Sequence, residues 1–138
     1  MSINTNFMQR CIELAAEAKS NGKTPVGAVL VRNEEIIAEG VEGSPELPLI
    51  LAHAEIVAII RATEILGSKD LSSCVLYTNV EPCVMCSYII RETAISKVVY
   101  GRQAGVIGGI SGVFRILSSV SINKWSRPPE IKQGSEGG

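Results

Sequence analysis

Apolar positions in the first twenty residues recur every three or four places. In TNFMQRCIELAAEAKS (5–20), Phe7, Cys11, Leu14, Ala15 and Ala18 fall on one face. That spacing predicts an amphipathic helix with one buried stripe, stopped by Gly22. Cys11 lies on the stripe and reads as a small core residue. The rhythm then changes: PVGAVLVR (25–32) is apolar almost throughout, as a strand covered on both faces is. EEIIAEGV (34–41) follows after a tight turn at Asn33–Glu34, which predicts an antiparallel pair.

Two prolines and a glycine make EGSPELPLIL (42–51) a loop, yet Leu47, Leu49, Ile50 and Leu51 are too apolar to be at ease in water. They are expected to line a pocket or a subunit interface. A second helix is predicted from Ala52 to Leu66, stopped by Gly67, then a buried strand at 73–80, a third helix at 83–93 and a strand at 96–101. Strand, helix and strand in that order imply parallel pairing through a right-handed crossover. GVIGGISG (105–112) matches no phosphate-cradling glycine pattern and is expected as a loop before a short helix near 112–119. The tail SRPPEIKQGSEGG adds one short strand around Glu130–Lys132. Together these elements describe one α/β domain over residues 1–138, a three-layer α/β/α sandwich with a mixed sheet.

Composition narrows the class. The chain is 46% apolar and 20% charged, an ordinary globular balance, and its net charge of -1 provides little attraction to nucleic acid. No apolar run reaches the roughly 18 residues of a membrane span. MSINTNFMQRCIEL lacks the basic-then-apolar order of a signal peptide, so a cytoplasmic location with reduced thiols is expected. Four cysteines stand at 11, 74, 83 and 86, and in that compartment the C-x-x-C pair reads as metal-binding or redox-active.

The candidate chemistry centres on NVEPCVMCSYII (79–90). Pro82 is expected to open the third helix, with Cys83 and Cys86 on one face of its first turn. There the positive helix end favours thiolates. A redox pair would need only these two residues. A structural zinc would need four protein ligands, and Cys11, mid-helix, and Cys74, at a strand start, lie badly for that. The sole histidine, His53 in LAHAEIVAII, has Glu55 two residues on. Three ligands plus a carboxylate fit a catalytic zinc with an open position. Positions two apart do not share a helix face, so His53 and Glu55 are expected at the very entry of the second helix. H-A-E followed by P-C-x-x-C is the arrangement found in zinc deaminases acting on nucleobases.

With PVGAVLV at 25–31, AHAE at 52–55, LYTNVEPCVMC at 76–86 and ISKVVYG at 95–101, the chain resembles the cytidine deaminase superfamily. The likeness is to the branch of tRNA adenosine deaminases, bacterial guanine deaminases and fungal-type cytosine deaminases. It implies zinc (Zn2+) on His53, Cys83 and Cys86, and Glu55 as the catalytic proton shuttle. It also implies that Val26, Glu42, the backbone of Ala54, Glu81 and Pro82 border the base. The implied reaction is hydrolytic deamination of an amino-substituted heterocycle, releasing ammonia. A homodimer is implied too, with the 45–51 loop and Tyr88, Ile89 and Ile90 as candidate interface.

The departures from that pattern bear on the substrate. Glu42 stands where the family usually has asparagine, and a carboxylate only accepts hydrogen bonds, which favours a ring N–H or an amine opposite it. LILAHAE replaces the more polar approach DPTAHAE. After VVYG, RQAGVIGG keeps Arg102 but lacks the acid and lysine of the tRNA deaminases, and no counterpart of their C-terminal helix precedes Gly138. These features and the near-neutral charge favour a small-molecule heterocyclic substrate, a free purine-type base or small nucleoside, over tRNA, although EPCVMC…VVYG points toward tRNA. Two other classes stand beside this reading. One is a non-catalytic, zinc-stabilised partner subunit; the other is a disulfide oxidoreductase on Cys83 and Cys86, which leaves His53 and Glu55 unexplained.

Overall fold

A computed structural model describes residues 3–134, with side chains from residue 6 onward. Helix α1 (Ile3–Ser20) leads into a hairpin of β1 (Gly27–Arg32) and β2 (Glu35–Val41). Asn33 and Glu34 both have positive φ, 51° and 64°. Left-handed conformations at both central residues match the twist of the flanking strands, which is why this two-residue turn closes the hairpin. Then come α2 (Ala54–Leu66), β3 (Val75–Val80), α3 (Val84–Glu92), β4 (Lys97–Arg102) and β5 (Glu130–Gln133).

The strands form one sheet in the order β2-β1-β3-β4-β5. The pairs β1–β2 and β1–β3 are antiparallel, whereas β3–β4 and β4–β5 are parallel. The expected mixed sheet is present, with α3 as the crossover between β3 and β4. Alternation along β1 explains why its sequence is apolar throughout. Ala28 and Leu30 join Ala54, Ala58, Ile59, Leu76, Ile90 and Val98 in a core under α2 and α3. Val29 and Val31 instead join Phe7, Met8, Cys11, Leu14, Tyr77 and Val99 under α1. Side chains two apart share a face, so a doubly covered strand must be apolar at every position.

Three expectations change in detail. Pro82 does not open α3: Cys83 is its N-cap, so Pro82 sits one residue outside the helix. Ile90 is fully buried and belongs to the core, leaving Leu49, Ile50, Leu51 and Tyr88 as the exposed large apolar members of the candidate interface. The short helix near 112–119 does not form: that stretch is turns. Its N–H groups bond elsewhere: Leu117 donates to the Gly109 carbonyl, Ile116 to Phe114 and Ser119 to Ile116. Helical i→i−4 bonds would instead send those N–H groups to Val113, Gly112 and Arg115. The glycine-ended tail at 135–138 lies outside the described residues.

Candidate metal centre and active site

Two helix N-termini meet behind the carboxyl edge of β3. His53 caps α2 with extended backbone (φ −76°, ψ 141°), and Cys83 caps α3 (φ −72°, ψ 177°). Cys86 follows within the first turn of α3, where i and i+3 side chains share a face. His53 Nδ1 lies 3.6 Å from Cys83 Sγ and 3.5 Å from Cys86 Sγ. All three ligand atoms fall within 4.8 Å of one another. For Zn–S near 2.3 Å and Zn–N near 2.0–2.1 Å, a tetrahedral arrangement requires an S···N edge of about 3.6 Å. The donor set therefore fits zinc, and three protein ligands leave one position for water or substrate.

The electrostatics suit a cation. The Cys86 thiol, the Cys86 and Met85 N–H groups and His53 draw the Cys83 thiol down to about 5. Cys86 moves well upward, because it shares its proton with Cys83 and is fully buried. Without metal the pair holds one proton between two sulfurs; a dication between them displaces it. Glu55, 4% exposed, is pushed up to about 8 by burial, and by the negative groups Cys83 and Glu42. Its carboxyl accepts from its own N–H and from the Cys86 thiol. A buried acid poised near neutrality can both take and return a proton.

The placement of α2 depends on Gly40. A Cβ there would collide with the carbonyl of Ala54 and come within 2.8 Å of the Ala58 nitrogen, so the helix carrying His53 and Glu55 lies directly on the backbone of β2. Glu42 Oε1 accepts the first N–H of α2, from Ala54, at 2.9 Å. Burial pushes the Glu42 carboxyl upward, partly offset by that N–H and by His53. Val26, also buried, is fixed from two sides: its carbonyl accepts the Glu42 N–H at 3.1 Å. The Asn79 side chain accepts from Gly27 N–H at 2.9 Å and donates to the Pro25 carbonyl at 3.0 Å.

Of the five residues expected around the base, Val26, Glu42 and Ala54 are thus linked to one another beside the metal ligands. Glu81 and Pro82 have additional partners. The Glu81 carboxylate binds the 104–111 segment, and the Pro82 carbonyl accepts from Gly109 N–H at 2.9 Å. Sequence reading missed Gly40 and Asn79 and the task of the Glu81 side chain. Each acts on backbone groups far along the chain, so no local pattern marks it.

Comparison with known proteins agrees with this geometry. Residues 1–102 match the family described as "Cytidine and deoxycytidylate deaminase zinc-binding region". A tRNA-specific adenosine deaminase of Aquifex aeolicus is 37% identical over 133 residues, covering 94% of this chain and 87% of that protein. A solved structure described under A-to-I editing by tRNA:A34 deaminases superposes with a TM-score of 0.87 at 32% identity, covering 96% of this chain and 100% of its own. The guanine deaminase of Bacillus subtilis gives 0.67 at 38% identity, covering 72% and 64%. With its His53–Cys83–Cys86 cluster set at two helix ends and a buried Glu55 beside it, the chain belongs to the cytidine and deoxycytidylate deaminase family of zinc-dependent hydrolases acting on carbon–nitrogen bonds.

Proposed function

We propose that this protein deaminates adenosine in tRNA, converting it to inosine with release of ammonia. The observation that carries the reading is the near full-length likeness to tRNA-specific adenosine deaminases, against partial coverage of the guanine deaminase. It revises the preference for a free base or small nucleoside drawn from Glu42, the missing acid and lysine after VVYG and the near-neutral charge. The charge is unevenly distributed. From Lys97 to Lys132 the chain carries Lys97, Arg102, Arg115, Lys124, Arg127 and Lys132 against the single acid Glu130. Arg102, Arg115 and Arg127 form no ion pair among the described residues. Phe114, 64% exposed, stands beside Arg115, and an aromatic face next to a guanidinium is suited to an unstacked base.

Replacing an exocyclic amine by oxygen requires one water and two proton transfers, one to a ring nitrogen and one to the departing ammonia. Glu55 is the buried acid beside the ligand cluster and carries both protons in turn. His53, Cys83 and Cys86 would hold zinc, which when bound supplies Lewis acidity and lowers the pKa of water from about 15.7 to about 7. Val26, held by Asn79 and Glu42, borders the base, and Glu42 holds the α2 N-terminus in register with it. The protein acts as one cytoplasmic deaminase domain and as a homodimer, covering the exposed Leu49 and Ile50.

A second reading, a free amino-substituted base, is favoured by Glu42. Its carboxylate offers only acceptors where an amide would offer both donor and acceptor. One experiment separates them: ammonia release by the zinc-loaded protein from an adenosine-34 anticodon stem, and from guanine, adenine, cytosine and their nucleosides. Turnover of the RNA is expected; turnover confined to a free base would replace the tRNA reading.

A further inference from the structure

Two buried charges, one on α3 and one in the link that precedes it, anchor one long segment. Arg91, 4% exposed, donates to the carbonyls of Ile116 (2.9 Å), Leu117 (3.4 Å), Ser119 (2.8 Å) and Ser126 (3.2 Å). Glu81, 1% exposed, does the converse with N–H and O–H groups. Its Oε1 accepts from Ala104 N–H (3.1 Å) and the Ser111 hydroxyl (2.5 Å). Its Oε2 accepts from Ile110 N–H and Ser111 N–H, both at 2.7 Å. Glu81 has no ion-pair partner among the described residues.

A buried carboxylate without a cation is costly unless fixed donors surround it. Here the donors come from a glycine-rich loop lying against a metal ligand. Gly108 pairs with Cys83 through a backbone bridge, and Gly109 N–H donates to Pro82. A Cβ at Gly108 would run into the Glu81 carboxylate, and one at Gly109 into Ser87 Oγ. The loop can approach this closely only as glycine, and the approach sets its backbone against Pro82–Cys83.

We infer that Glu81 is a positioning residue of the metal centre: by gathering the 104–111 loop onto itself, it clamps the backbone of Cys83 and holds that ligand toward His53 and Cys86. The inference rests on the zinc-site reading of the three ligands and is independent of which base is deaminated. Groups that orient metal ligands from outside typically change metal affinity 10–100-fold when removed. Arg91 provides the contrast, since it binds the carbonyls of Ile116, Leu117, Ser119 and Ser126, outside the 104–111 loop that pairs with Cys83.

The test uses the zinc-loaded full chain and follows zinc transfer to a chromogenic chelator, alongside zinc stoichiometry and thermal unfolding. Glu81→Gln keeps the shape but turns an amide N–H₂ toward one set of donors. It is expected to bind one zinc and release it on the order of tenfold faster than wild type. Ser111→Ala, which removes one hydroxyl and leaves Glu81 in place, is expected to accelerate release by a smaller factor, and answers the question if Glu81→Gln fails to fold. Arg91→Lys is expected to lower thermal stability without changing release. Wild-type release from Glu81→Gln and Ser111→Ala, or equal acceleration in Arg91→Lys, would overturn the positioning role and leave Glu81 a loop anchor only. A wild type without stoichiometric zinc would instead overturn the metal-site reading beneath it.

Discussion

His53 and Cys83 hold the same station on two helices: each is the N-cap residue, and His53 Nδ1 lies 3.6 Å from Cys83 Sγ across 30 positions of sequence. A cap residue has extended backbone, so its side chain leaves the helix axis instead of following the helical stripe. Two such ends brought together point their side chains at one spot, under the positive ends of both helices.

Removing one ligand should therefore abolish zinc binding. Cys83→Ala is expected to purify with well under one zinc per chain and to lose thermal stability in zinc-replete buffer, the gap to wild type closing when a chelator is present. Metal analysis and paired melts check this; a fully metallated variant would contradict the ligand assignment.

Glu55→Gln should separate chemistry from metal binding. The neutral amide suits a site where burial already pushes the carboxyl up to about 8, so fold and zinc content are expected to persist. Ammonia release should fall by about 10²–10⁴-fold, the contribution of a positioned proton carrier.

Gly40→Ala probes the seat of α2. The added methyl would meet the Ala54 carbonyl, so the helix bearing His53 and Glu55 must lift. Overpacking of this kind costs about 1–3 kcal/mol. Urea denaturation should show that loss, with a fall in turnover larger than any change in substrate binding.

Acid should uncover the α1–β2 ion pair. The Glu39 carboxylate takes Arg10 Nε at 2.6 Å and Nη2 at 2.9 Å. Those bonds hold Glu39 below its ordinary 4.5, outweighing burial. A lowered folded pKa contributes stability above the unfolded value, lost as pH falls through the folded one. Glu39→Gln should be less stable than wild type at pH 7, the difference shrinking below about 4.5. Denaturant midpoints from pH 7 to 3 read it out; a constant difference would assign the effect to packing.

RNA binding should depend on the basic C-terminal third. Arg115→Ala is expected to weaken binding of an anticodon stem and to reduce its salt slope by about 1. Phe114→Ala should weaken it with the salt slope unchanged, by about 1–3 kcal/mol if a base stacks there. Filter binding at several salt concentrations distinguishes the two effects.

Periodicity alone made α1, the β1–β2 hairpin, β3, α3 and β4 legible, because a helix stripe and a doubly covered strand each leave a repeating apolar signature within a few residues. H-A-E and P-C-x-x-C were equally legible, since helix caps and first turns are local structures and zinc restricts ligand type. The 112–119 stretch was misread as a helix because it is held from outside, by Arg91 of α3 and by Gly109 of the loop that Glu81 fixes across up to 30 positions. Net charge is a weak guide for a related reason: it sums over the chain, whereas an RNA, on the proposed reading, would meet only one face. That α1, α2 and α3 would form, and which residues could hold zinc, followed from near neighbours. How close α2 may lie on Gly40, and what fixes Cys83 against its loop, depended on contacts that exist only once the sheet has brought distant backbone together.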